Sequence, residues 1–143
     1  MLKKCLPLLF CAALASGCAA QAGAGKAPNI AGRTFAWAGG VSEGCSLPPH
    51  ITFGKDGSVS GMAGCNRILG SYKLHGDQLD LSQLGSTMMM CAPATMKSER
   101  AFMDYLARAK RVTAGGSGSV VLWDAKGEKI VTLTPVDPSK CAP

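Results

Sequence analysis

Between Met62 and Cys91 the chain reads Met62-Ala63-Gly64-Cys65-Asn66-Arg67-Ile68-Leu69-Gly70-Ser71-Tyr72, then a polar turn, then Thr87-Met88-Met89-Met90-Cys91. Two cysteines bracket alternating apolar and polar residues interrupted by glycines. A period of two means that successive side chains point to opposite faces of a sheet. The stretch therefore predicts antiparallel strands whose ends can be tied together covalently.

The rest of the chain extends that pattern. Thr34 to Ala38 alternates large and small residues, which predicts a strand with Phe35 and Trp37 facing inward. His50 to Phe53 alternates again, with Ile51 and Phe53 inside. Lys55-Asp56-Gly57-Ser58 is a hairpin turn leading into a return strand, Val59 to Met62. From Asn66 onward, Ile68, Gly70, Tyr72 and Leu74 share the better core face, and Gly64 and Gly70 are read as a bulge or bend. His75-Gly76-Asp77 turns the chain into Gln78 to Ser82, whose Leu79 and Leu81 point in. Ser86 to Met90 reads as a further strand.

A helix is expected at about Thr95 to Lys110, with Met96, Phe102, Met103, Leu106 and Ala109 at helical spacing. Arg100, Asp104 and Arg108 lie on its outer face. Ser119 to Asp124 and Ile130 to Thr134 form a last hairpin across Lys126-Gly127, and Pro135 and Pro138 end regular structure. Many short strands, one helix and glycine-rich turns predict a mainly β (α+β) fold. Its form is a curved antiparallel sheet or partial barrel with one helix packed on it.

The chain has 143 residues, enough for one domain with a real core. Met1-Leu2-Lys3-Lys4 followed by the apolar run Cys5 to Leu14 has the form of a signal peptide and is too short to stay across a bilayer. Leu14-Ala15-Ser16-Gly17-Cys18 resembles a bacterial lipobox, although Ala15 stands where leucine is usual. By that resemblance residues 1–17 are removed and Cys18 is acylated, with Ala19 after it favouring the outer membrane. An ordinary signal cut a few residues later, leaving a soluble periplasmic protein, is the alternative. Residues 18–30 then form the lipidated N-terminus and a flexible linker, 31–136 the domain, and 137–143 a C-terminal tail.

Of the seven cysteines, Cys45, Cys65, Cys91 and Cys141 remain for the folded part. An even number in an exported chain predicts two disulfides, in any of three connectivities. The net charge is +6, of which Lys3 and Lys4 contribute two. The remaining basic residues are scattered, which suits a solvated surface and argues against nucleic acid as a partner.

The run Gly64-Cys65-Asn66-Arg67-Ile68-Leu69-Gly70-Ser71-Tyr72, with Leu79, Thr87, Met89-Met90-Cys91, Glu99 and Phe102, resembles the META domain family, which includes the HslJ-type heat-inducible lipoproteins. The similarity covers roughly Ala31 to Pro135. Met88 stands where the family usually has arginine, and Ile68 where it often has phenylalanine. The resemblance implies a small, mostly β domain with a lipocalin-like curve, an envelope location, and association with stress or antibiotic tolerance. It brings no established enzymatic activity. If the strands that carry Cys65 and Cys91 are neighbours, those two cysteines come within bridging reach. Cys65–Cys91 with Cys45–Cys141 is then the favoured pairing.

Candidate chemistry is sparse. A catalytic cysteine needs an activating neighbour, there is no Cys-x-x-Cys, and His50 and His75 both lie beside predicted turns. Met88, Met89 and Met90, with Met62 and Met96, suggest Cu(I) on ligand softness, but core packing is the default. The two histidines offer no zinc-ligand spacing, so no metal or cofactor is expected. Glu99 and Asp104 are placed on a helix surface, with Glu99 available to Arg67. Asn66 either satisfies backbone groups at a bend or joins Arg67 in a small surface that binds an anionic group.

The favoured expectation is a non-enzymatic outer-membrane lipoprotein that faces the periplasm. It is held to the membrane through its lipid and acts as a binding or accessory module toward an envelope protein or small ligand. The alternative is a secreted-type inhibitor or ligand carrier that uses the concave sheet. An envelope enzyme is the third reading. A deep apolar cavity favours the carrier and a filled core favours the accessory module.

Overall fold

Eight strands run in sequence around a closed barrel: β1 (Arg33–Ala36), β2 (His50–Phe53), β3 (Ser58–Met62), β4 (Arg67–His75), β5 (Gln78–Ser86), β6 (Arg111–Ala114), β7 (Val120–Trp123) and β8 (Lys129–Val136). One helix, α1 (Pro93–Arg108), separates β5 from β6. The computed structural model describes residues 27–141. The expected signal peptide, the Cys18 lipidation site and residues 18–26 of the linker lie outside them, as do tail residues 142–143.

Every neighbouring pair is antiparallel, and β1 closes the ring on β8 through Thr34↔Val136, Phe35↔Pro135 and Ala36↔Thr134. The partial barrel expected from the sequence is thus complete. Closure leaves no free strand edge at β1 or β8. The thinnest seam is β5–β6, paired only at Gln78↔Arg111.

The interior is filled by side chains. Phe35, Ile51, Phe53, Ile68, Leu79, Leu81, Val112, Val120, Leu122 and Leu133 form one buried cluster, at the alternating positions that period two requires. Phe102 and Leu106 of α1 enter the same cluster. Trp37 lies just beyond β1, stacked on Phe102 at 6.2 Å and edge-on to Tyr105 at 5.1 Å.

The β2–β3 turn forms as expected. Asp56 Oδ1 accepts the Ser58 backbone N–H at 3.0 Å and the Ser58 hydroxyl at 2.6 Å, and Gly57 takes the positive φ of +85°. On β4 the core face is the expected one, but the irregularity falls between Ser71 and Lys73, at Tyr72, rather than at Gly64 or Gly70. Tyr72 turns out of the β5 ladder to give its N–H to Gly57 and its hydroxyl to Gly54, at 3.0 and 2.9 Å. Gly70 serves close approach instead: a Cβ there would lie 2.0 Å from the Gln83 carbonyl oxygen.

Three other expectations are corrected. No strand forms over Thr87–Met90, because the side chain of Asn66 supplies the hydrogen bonds that a neighbouring strand would give. Pro135 does not end regular structure, since β8 runs to Val136. Pairing of β8 with β7 stops at Leu133, so Pro135 has a ladder on one side only. The helix begins at Pro93, two residues before Thr95. Proline suits that position because its missing N–H is one that a helix start leaves unpaired anyway. Ala92 offers no side-chain cap and the first turn holds no acid. Glu43 supplies both from outside, its Oε1 accepting Ala92 N–H at 3.2 Å and the Thr95 hydroxyl at 2.7 Å.

Candidate functional site

Cys65, Asn66 and Arg67 form the corner between β3 and β4. Cys65 and Cys91 are joined as a disulfide, with Cα atoms 5.9 Å apart, which closes a 26-residue separation. In the chain-entropy account such a loop contributes about 3 kcal/mol. Cys45 and Cys141 form the second disulfide, Cα atoms 5.0 Å apart. It ties the β1–β2 loop to the short 3₁₀ turn Pro138–Cys141.

Glu99 is not on the helix surface and does not reach for Arg67. It is 7% exposed, and its carboxylate faces the corner. Oε2 accepts the backbone N–H of Cys65 at 2.9 Å and of Asn66 at 2.7 Å, and Oε1 accepts the Asn66 side-chain amide at 2.7 Å. A carboxylate is an acceptor with several lone pairs, so it satisfies all three donors at once.

Asn66 is 3% exposed and uses both ends of its amide. Nδ2 also donates to the Met89 carbonyl at 3.0 Å, while Oδ1 accepts the Met89 N–H and the Thr87 hydroxyl. Thr87 Oγ1 in turn accepts the Arg67 N–H at 2.9 Å. Asn66 is therefore a bracket for the Thr87–Cys91 segment, and Arg67 is the member of the pair whose side chain faces solvent.

The bracket puts the methionines outside. Met88 is 94% and Met90 85% exposed, so the core packing expected for them does not occur. Loop capture by Asn66 overrides what an apolar run alone implies.

Arg67 lines a groove of about 200 Å³ with His50, Thr52, Ser60, Leu69 and Cys141. His50 is 5% exposed, on β2. Its Nδ1 lies 3.0 Å from the Pro48 carbonyl oxygen.

At the β5–β6 seam a wider cleft of about 680 Å³ is lined by Lys73, His75, Lys110, Arg111 and Lys126, with Asp80 and Asp124 among them. Arg111 is paired with Asp77. Asp80 is held below its usual carboxylate value, mainly by the Ser82 hydroxyl and N–H, and further by Lys73 and Lys110. In the sequence these cations look scattered, because they come from three separate segments that only the fold brings together.

Fold and site together define a small closed antiparallel β-barrel with a disulfide-pinned Asn-Arg corner on its rim. The chain belongs to the META domain family, whose domain matches residues 32–137. It is also similar to an NMR structure of a protein from Burkholderia xenovorans, at 22% identity and a TM-score of 0.58 over 75% of this chain and 83% of that one. A second NMR structure matches at 26% identity with a TM-score of 0.53, over 72% of this chain and 88% of that one. No curated protein matches the chain.

Proposed function

We propose that this protein is an envelope lipoprotein, anchored through Cys18 to the outer membrane and facing the periplasm. Its META domain acts as a non-enzymatic binding or accessory module in stress or antibiotic tolerance. The observation that carries this reading is the packed barrel. Phe35, Phe53, Ile68, Phe102, Leu122 and Leu133 occupy the interior, so recognition falls to the rim rather than to a cargo held inside.

Two disulfides suit a chain exported to an oxidising compartment, and the lipobox-like Leu14 to Cys18 suits an anchored one. On the rim, Arg67 presents a guanidinium at a corner fixed by Glu99, Asn66 and the Cys65–Cys91 bridge. Such a corner is pre-organised for a carboxylate or similar anionic group on an envelope partner.

The test is affinity capture from envelope extracts with the wild-type chain and with Arg67→Ala. An envelope protein enriched by the first and lost with the second supports the reading. No enrichment, or the same proteins from both baits, overturns it. Arg67 is exposed, so the variant keeps the fold and the comparison isolates the guanidinium.

A further inference from the structure

The Cys45–Cys141 disulfide has a histidine neighbour that, among the described residues, the Cys65–Cys91 bridge lacks. A ring nitrogen of His50 and the sulfur atoms of Cys45 and Cys141 lie within 4.8 Å of one another. We propose that reduction of this disulfide converts the cluster into a Cys2His site for a thiophilic divalent cation of the zinc class, so that the same three residues are either a structural staple or a metal site.

Three features support the assignment. The first is ligand chemistry: two thiolates and an imidazole form a donor set that zinc takes up, leaving a fourth position for water or another ligand. The second is the state of His50. A carbonyl oxygen only accepts, so the contact of Nδ1 with Pro48 at 3.0 Å leaves the ring hydrogen on Nδ1 and the lone pair on Nε2. Metal-binding histidines are commonly oriented by this kind of bond from the other ring nitrogen to a backbone carbonyl. The third is access and give. Cys141 and His50 both line the groove beside Arg67, which provides an entry path. Cys45 lies outside any helix or strand, and Cys141 ends a short 3₁₀ turn. Two thiolates on one tetrahedral ion sit roughly 3.8 Å apart, given metal–sulfur bonds of about 2.3 Å. Segments without ladder hydrogen bonds adjust to such a separation more readily than strands do.

The chemistry balances with a dithiol as reductant. The dithiol gives two electrons and two protons to the Cys45–Cys141 bond and becomes a disulfide itself. The two resulting thiols each release a proton as they bind the cation, while His50 binds as the neutral ring. In the reverse direction a disulfide takes two electrons from the thiolates and, with two protons, becomes a dithiol, so that the Cys45–Cys141 bond re-forms and the metal is released. Seen from sequence, His50 and the two cysteines share no motif spacing, because Cys141 is 96 positions from Cys45.

The test is anaerobic Co(II) titration of the full chain, with Cys5, Cys11 and Cys18 changed to serine in every sample and a parallel sample that also carries Cys65→Ser and Cys91→Ser, so that the thiols of the other disulfide are not counted. After reduction and removal of the dithiol, one Co(II) per chain is expected to give thiolate charge-transfer and tetrahedral d–d absorption, displaced by equimolar Zn(II). The oxidised chain gives neither. His50→Ala weakens Co(II) binding by roughly tenfold or more, and Cys45→Ser with Cys141→Ser abolishes it while far-UV circular dichroism reports the barrel intact. Absence of the bands in the folded reduced chain overturns the proposal. So does their persistence in the double serine variant, or their appearance only when the circular dichroism of the fold is lost.

Discussion

Glu99 and Asn66 are joined twice. One carboxylate oxygen accepts the Asn66 backbone N–H and the other accepts its side-chain amide, each at 2.7 Å. The helix thereby fixes the β3–β4 corner, and through Asn66 it fixes the Thr87–Cys91 segment as well. Glu99→Gln keeps the shape but turns an amide donor toward one of these donors, so it is expected to lower stability by about 2 kcal/mol. Glu99→Ala leaves three donors without acceptors and costs about 4 kcal/mol. Denaturant unfolding of the two variants checks both values, and a neutral Glu99→Gln contradicts the assignment.

Asn66→Ala removes the bracket but leaves the barrel ladders in place. Amide exchange at Met89, whose N–H and carbonyl both bond to Asn66, is expected to rise sharply, while Ile51 and Leu122 in the buried strands keep their protection. Global stability falls by about 2 kcal/mol. Unchanged exchange at Met89 places the cause of the loop's order elsewhere.

Much of the fold is legible in the sequence because local signals agree with it. Ile51, Phe53, Leu79 and Leu81 alternate cleanly and face inward, and the Asp56-Gly57 turn has its own side-chain chemistry. The missing pieces depend on contacts distant in sequence. β6 went unrecognised because only Val112 among Arg111–Ala114 is buried, so no alternation announces the strand. The site was half legible: the Cys-Asn-Arg run marks the corner, but helical periodicity cannot show that Glu99 turns inward to a buried asparagine.

Gly70 and Gly85 offer a matched pair in one ladder. A Cβ on Gly70 meets the Gln83 carbonyl oxygen at 2.0 Å, whereas one on Gly85 has its nearest neighbour, the Leu69 carbonyl oxygen, at 4.0 Å. Gly70→Ala is therefore expected to cost about 3 kcal/mol, and Gly85→Ala to stay within about 0.5 kcal/mol of wild type. Thermal melts of the two variants suffice. Equal effects contradict the close packing of β4 on β5.

Asp56 is held below its ordinary value of 3.8, chiefly by the Ser58 hydroxyl and then by the Ser58 N–H. A depressed folded value means that the carboxylate's contribution is present above pH 3.8 and is lost as pH falls through the folded value. Ser58→Ala removes the first of these bonds, so the Asp56 midpoint moves up toward 3.8, and the acid loss of stability at this turn becomes smaller and is complete at a higher pH. An NMR titration of the Asp56 side-chain carbons reads the shift directly. An unmoved midpoint contradicts the role given to the hydroxyl.

The proposed function requires both the covalently stapled barrel and an acylated Cys18 to moor it. Intact-mass measurement of the protein purified from bacterial envelopes, followed by non-reducing peptide mapping, tests both parts together. The predicted result is a chain that begins at an acylated Cys18, with peptides linking Cys65 to Cys91 and Cys45 to Cys141. An unmodified Cys18, or free thiols at all of Cys45, Cys65, Cys91 and Cys141, contradicts it.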